Sequence, residues 1–184
     1  LALGDLDGAL DDCESAMAQA IALDEIAMMR MARSSILLCK GRIGEGWDDY
    51  AVRLDPHFAG APHFLIDNPQ WKPQSDINGK SLLLLGEQGL GDEVLFANLI
   101  PDILDDLGPD GRLGLGVEPR LVPLFQRSFP TAQVFGHATL QVETKLVRGA
   151  TDIDHGTVDL WAPLASPLTR YRRSLDAFPN RERF

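Results

Sequence analysis

The sequence is poor in the residues that build several common kinds of site. It has 2 Cys among 184 residues. Cys13 and Cys39 make neither a disulfide framework nor a metal cluster; both fall in helical stretches, where they are expected as reduced core thiols. The 4 His are His57, His63, His137 and His155, with no metal-ligand spacing among them, so no metal is expected. Basic residues are scarce beside acidic ones, 17 Lys plus Arg against 27 Asp plus Glu, for a formal net charge of −10. That deficit argues against non-specific binding to nucleic acid or an anionic membrane, which needs clustered positive charge. No apolar run approaches the roughly 18 residues of a membrane span. The opening Leu1-Ala2-Leu3-Gly4-Asp5 lacks the basic n-region and cleavage site of a secretory leader, and it lacks an initiator Met. The expectation is a cytoplasmic protein of which this chain is one part.

What remains is an ordinary globular mixture, 45% hydrophobic and 24% charged. Its charge is uneven. Residues 151–184 carry five acids and five bases, all five being Arg, whereas the rest is acidic. Arg170, Arg172 and Arg173 can fork onto phosphate oxygens, although a solvated helix face is the plainer reading.

Residues 5–55 predict helices. Leu6, Ala9, Leu10, Cys13 and Met17 recur at steps of three and four, as do Ile26, Met29, Ala32, Ile36 and Leu37. A third stretch from Gly44 carries Trp47, Tyr50, Val52 and Leu54 and ends at Asp55-Pro56. Gly4, Leu6, Leu10 and Cys13 map onto Gly41, Ile43, Trp47 and Tyr50 at a constant offset. Paired helices at such a period resemble tetratricopeptide repeats. Residues 57–79 hold four further features that prevent a long helix, Pro62, Pro69, Pro73 and Gly79, with Trp71 among them.

The composition then changes. Ser81-Leu82-Leu83-Leu84-Leu85 is a short apolar run between Gly79 and Gly86, which predicts a strand buried on both faces, as in a parallel sheet. A helix is expected from Glu93 to about Leu107, with Leu95, Leu99, Ile103 and Leu107 on its inner face. Arg112–Val117 predicts a second strand, Pro119 a helix start, and Ala132–Phe135 a third strand. This β-α-β-α-β order is the first half of a doubly wound α/β domain. Further strands are expected at Val142–Val147 and Asp159–Ala162, and a short helix at Leu168–Leu175. The domain reading is therefore 1–56 helical, 57–79 connector, and 80–184 Rossmann-like.

The informative motif is Gly86-Glu87-Gln88-Gly89-Leu90-Gly91-Asp92 between strand and helix. Its glycines permit close backbone approach, and a helix start welcomes an anion. It is neither a P-loop nor a complete dinucleotide fingerprint, since Val94 stands at the third glycine position. Asp92 reads either as a helix cap or as a catalytic carboxylate. Glu87 and Gln88 read as exposed loop residues or ligand contacts.

From about Trp47 to Phe184 the chain resembles the bacterial tetratricopeptide-repeat glycosyltransferases, relatives of the heptosyltransferases. The likeness is carried by Trp47-x-x-Tyr50-x-x-Arg53, Pro69-x-Trp71, Gly79-Lys80 and the run from Leu82 through Asp92. Phe96, Pro101, Val117-Glu118-Pro119-Arg120-Leu121 and Trp161-Ala162-Pro163-Leu164 extend it. Asn98 and Pro73 depart from the usual Arg and Gly. The resemblance implies the N-terminal half of a GT-B fold from an inverting, metal-independent enzyme without a cofactor. Asp92 would then be the base that deprotonates an acceptor hydroxyl. Gly86, Glu87, Gln88, Gly89 and Gly91 would form the substrate-binding loop. The nucleotide-sugar donor would sit mainly on a C-terminal domain outside this chain, leaving the fragment inactive alone. A protein or glycan would be the acceptor, with the helices presenting it or a protein partner. The alternatives are a non-catalytic tetratricopeptide-type interaction module with a degenerate α/β domain, and a simple nucleotide-binding domain.

Overall fold

The structure, a computed structural model, describes residues 4–143 and 145–179. The chain divides into two compact units, one of residues up to Ala61 together with Leu168–Phe178, the other of Pro62–Pro167.

The first unit is helical. α1 (Leu6–Gln19) starts at Asp5, whose carboxylate accepts from the Gly8 N–H at 2.9 Å, a side-chain cap for an otherwise unpaired donor. α2 (Leu23–Cys39) packs on both α1 and α3 (Ile43–Tyr50), and α3 runs on as a 3₁₀ turn, Ala51–Leu54. Ala9, Leu10, Ile36 and Leu37 form the core, flanked by Leu6 and Cys13. α2 and α3 approach closely because Gly46 has no side chain: a Cβ there would meet Leu38 at 2.7 Å. The Ser34 hydroxyl donates to the Gly46 carbonyl at 2.8 Å in the same contact. Two sequence expectations need correcting. Cys13 is half-buried and Cys39 is exposed, so neither is a buried core thiol; Cys39 ends α2, beyond the packed turn of Ile36 and Leu37. Ala32 is exposed, while Ala27 and Ser34 face inward.

The second unit is built on a four-stranded sheet and a smaller three-stranded one. After β1 (His63–Phe64) come β2 (Ser81–Leu85), α4 (Leu90–Phe96), α5 (Ile100–Leu107), β3 (Arg112–Val117), α6 (Val122–Ser128) and β4 (Gln133–Gly136). The chain continues through β5 (Ala138–Val142), β6 (Lys145–Gly149) and β7 (Leu160–Pro163). The larger sheet has the order β4-β3-β2-β7, parallel throughout. The fold is α/β, helices plus a mostly parallel sheet. Leu82–Leu85 are each at most 1% exposed, so β2 is covered on both faces, which is why its sequence has no polar alternation. Leu83 and Leu85 join Ile66, Phe135, Ala150, Val158 and Trp161 in one core cluster. The smaller sheet, β1-β6-β5, pairs β1 parallel and β5 antiparallel to β6. The proline-rich segment is pinned alongside β7: Trp161 N–H donates to Pro69 O at 3.1 Å and Trp71 N–H to Trp161 O at 2.7 Å.

The helix expected from Glu93 begins at Leu90 and is interrupted by a 3₁₀ turn, Ala97–Leu99, before α5 takes Pro101 in its first turn. The tighter turn shifts the buried stripe, so Leu95 is 62% exposed and Phe96, Leu99, Ile100 and Ile103 are buried. The single strand expected at Val142–Val147 is a hairpin, β5 and β6, folded back at Glu143 with φ 53°. The last α-helix covers only Leu168–Tyr171. Among the described residues no helix is long and apolar enough to cross a membrane.

Candidate functional site

β2 delivers the glycine loop to the carboxyl-terminal edge of the parallel sheet, and α4 carries it away. Gly86 continues the strand, donating its N–H to Gly116 O at 2.7 Å. Gln88 is half-buried, and Gly89 and Gly91 are exposed. A Cβ at Gly91 would have nothing within 4 Å, so packing within the chain does not require that glycine. Asp92, third residue of α4, is half-buried and accepts from the Gly89 N–H at 3.1 Å. It therefore makes a helix-start bond while leaving part of its carboxylate accessible.

Glu87 is not an exposed loop residue. It is 5% exposed, and its Oε1 accepts from the Ala165 N–H at 2.9 Å, tying the loop after β2 to the loop after β7. The other loop residue with a structural duty is Gly86, where a Cβ would collide with the Glu93 carboxylate.

Glu93 leads to a cluster that the sequence reading missed. It is 1% exposed. One of its oxygens accepts from the Glu118 N–H at 2.7 Å, and the other lies 3.2 Å from His137 Nε2 and 3.8 Å from Arg148 Nη1. His137 is 5% exposed and Arg148 7%. Arg148 Nη1 also contacts His137 Nε2 directly and lies 3.4 Å from Nδ1, and its Nη2 donates to the Gln88 carbonyl at 3.0 Å. Thr139 Oγ1 sits 3.0 Å from His137 Nδ1. Arg148 Nε is buried without a hydrogen-bond partner. Burial pushes the Arg148 guanidinium below its ordinary pKa, against the opposing pull of Glu93, Glu87 and Glu118. It remains a cation throughout the physiological range. Glu118 is held below the usual carboxylate range, chiefly by a hydrogen bond from Arg120 at 2.7 Å, with His137 adding a smaller charge effect.

The one sequence signal for this cluster is Gly86 followed seven residues later by Glu93, a residue without a Cβ facing a buried acid. Its partners stand 44 and 55 residues further along, on β-structure that the sequence did not resolve.

The remaining candidates lie elsewhere. Trp47 and Tyr50 rings meet edge-on at 5.6 Å, and the buried Arg53 guanidinium stacks 4.5 Å over Tyr50. This is internal packing by the face they share. Arg173 forks onto Asp48 at 2.5 and 3.0 Å, and Arg172 is 2% exposed, so these two do not form the solvated helix face expected of Arg170, Arg172 and Arg173. Asp154 caps its own turn through Gly156 N–H at 2.9 Å, and His155 Nε2 donates to Ala150 O at 2.7 Å. The helical unit has a polar cleft of about 250 Å³ that includes Glu14, Arg33, Arg42 and Asp49. An apolar cavity of about 400 Å³ on the smaller sheet includes Leu65, Leu140, Val147 and His155.

The chain is 46% identical over 185 residues to Protein FlbA of Caulobacter vibrioides, an alignment that covers all of this chain and 31% of that protein. The chain thus spans about a third of the length of the curated relative it matches. No protein-family model and no solved structure matches the chain.

Proposed function

We propose that this chain is the acceptor-side, Rossmann-like part of a GT-B glycosyltransferase, preceded by tetratricopeptide-like helices. The observation that carries the reading is the glycine loop at the carboxyl end of β2 with Asp92 partly accessible at the head of α4. In a parallel α/β sheet, ligands bind beyond the carboxyl ends of the strands where the order reverses. Here β3 and β4 lie to one side of β2 and β7 to the other, which makes the β2–β7 edge that point. The repeat reading is supported by Gly4 and Gly41, each two residues before a helix and each with positive φ, 111° and 74°.

In this reading Asp92 takes the proton of the attacking hydroxyl, its orientation fixed by the Gly89 N–H. The open backbone at Gly91 lets a substrate approach, and the loop N–H groups face the anionic leaving group. The nucleotide-sugar donor binds mainly on a second domain outside this chain. The acceptor is a protein or glycan, and the helices hold it or a partner protein.

The 184-residue chain is expected to show no nucleotide-sugar turnover. In the longer protein, Asp92→Asn should lower transfer by about 10²-fold or more while thermal and urea unfolding move by no more than about 1 kcal/mol. Retained transfer would reduce Asp92 to a helix cap. The second reading is a non-catalytic interaction module whose sheet is a scaffold, in which Glu87 serves only to tie two loops together through Ala165. A longer protein lacking a second α/β domain would decide for it.

A further inference from the structure

The smaller sheet has two unlike faces. On the inner one the Phe64 ring lies 5.0 Å from that of Trp161, and Thr139 and Arg148 reach His137. Alternation sends Leu65, Leu140, Val142 and Val147 to the outer face, with Ala138 and Gly149 between them. A sheet face left in water ordinarily carries polar residues. Here Leu65, Leu140 and Val142 are more than half exposed, and the apolar cavity of about 400 Å³ opens where Ala138 and Gly149 leave room.

β5 is the edge of this sheet. Ala138–Val142 holds no charged residue and no proline, and its register with β6 runs without a bulge. Charge, proline and bulges are the devices that keep an edge from pairing, so this edge is unguarded. The Leu65 N–H donates to the Arg148 carbonyl, so Arg148 turns its backbone to β1, while Val147 and Gly149 turn theirs to β5. Leu140 and Ala138, opposite them, are thereby spent on β6. The backbone N–H and C=O of Thr139 and Gln141 face the open side, where no strand pairs among the described residues.

We propose that β5 is a dimer edge, on which a second copy of this chain adds its own β5 antiparallel about a two-fold axis at Leu140. The strand is self-complementary in that register. Thr139 of one copy exchanges both backbone bonds with Gln141 of the other, and Leu140 meets Leu140 as the close, non-hydrogen-bonded pair. Ala138 meets Val142, so the outer apolar stripe runs across the axis unbroken. Charge selects the same arrangement. Lys145 opens β6 at one end of the outer face, with Glu143 in the turn before it. At the other end Asp152 and Asp154 stand beside the cavity residues Thr151 and His155. Antiparallel pairing lays the lysine end of one copy beside the aspartate end of the other, whereas parallel pairing would join like ends. A small apolar ligand would fill the cavity and leave the edge unpaired; a second copy serves both. The inference rests on this chain's own strands and stands independently of the transferase reading.

The test is disulfide trapping and sedimentation equilibrium on the 184-residue chain, with Cys13→Ser and Cys39→Ser as the background for trapping. Across the axis the two Leu140 Cα atoms would lie about 4.5 Å apart, within disulfide reach, and the two Val142 Cα atoms about 14 Å apart, outside it. Leu140→Cys should therefore give a linked dimer under mild oxidation, and Val142→Cys none. The unaltered chain should sediment at twice its monomer mass. Leu140→Lys sets two ammonium groups face to face at the axis and should return the monomer. Gln141→Pro removes an outward N–H and none that faces β6, so it too should be monomeric, with the circular dichroism of the parent. The proposal is overturned if the unaltered chain stays monomeric, if Leu140→Cys and Val142→Cys link equally, or if the dimer survives Leu140→Lys. It is equally overturned if Leu140→Cys links in the 184-residue chain but not in the longer protein, since the edge then belongs to another segment of that protein. Should Leu140→Lys or Gln141→Pro fail to fold, the contrast between the two exposed cysteine positions still decides.

Discussion

The carboxylate pairs on α1–α3 and the cluster behind the glycine loop handle charge in opposite ways. On α1–α3 the partners of Asp49, Glu45 and Asp7 lie at the surface or half in it. Asp49 is buried, but the Arg30 and Arg33 side chains that reach it are 35% and 27% exposed. Arg42 and Glu45 form a fork at 2.8 and 2.6 Å in open solvent, and Lys40 pairs with Asp7. In the sheet unit one set of charges is taken out of water almost altogether. Glu93, His137 and Arg148 lie beneath the glycine loop, with His137 and Glu93 side chains 2% exposed. Exposed pairs add little because water screens them and side-chain entropy is lost, whereas breaking a buried set strands a charge. A substitution is therefore felt most where the charge is buried.

The largest expected effect is at Glu93. Glu93→Ala leaves Arg148 buried without its carboxylate partner and the Glu118 N–H unpaired, and should cost about 3–5 kcal/mol in urea unfolding. A cost under about 1 kcal/mol would erase the contrast between the units. Gly86→Ala comes next. Its Cβ collides with the Glu93 carboxylate, and relief requires the cluster to shift, for about 1–3 kcal/mol in the same measurement. Asp49→Ala should cost about 2 kcal/mol, less than Glu93→Ala because the two arginines can turn back to water. At the low end, Arg42→Ala should leave the melting temperature unresolved from the parent. The hydrogen bond from Arg42 holds the Glu45 carboxyl below its usual range, yet both groups stand in solvent. A clear loss of stability there would mean that the Arg42–Glu45 fork acts as more than surface decoration.

Much of this architecture could be read from the chain. The run Leu82–Leu85 between two glycines suits a strand covered on both sides, and the apolar residues recurring at steps of three and four before residue 40 suit helices. The hairpin of β5 and β6 was illegible because Glu143 turns the chain in a positive-φ conformation without the glycine or asparagine that usually marks it. Leu95 was misplaced because a 3₁₀ turn broke a pattern that assumes 3.6 residues per turn. Asp92 was visible through its motif. Its neighbour Glu93 was not, since an acid at a helix start is ordinarily solvated and favoured by the dipole. Only the arrival of Arg148 from β6 and of His137 from the junction between β4 and β5 makes it a buried anchor.

The helical unit takes its last piece from a stretch that follows the sheet unit in the sequence. The chain leaves it at Ala61 and rejoins it at Leu168, bringing back the Arg173 that grips Asp48. In sequence the sheet unit is thus a guest inserted within its host. Dissection by simple truncation will damage the host: a fragment stopped at residue 61 loses the strand of chain that completes it, whereas one in which residues 62–167 are replaced by a short flexible bridge keeps every host residue. The seam for taking this protein apart is an excision, with two cuts rather than one.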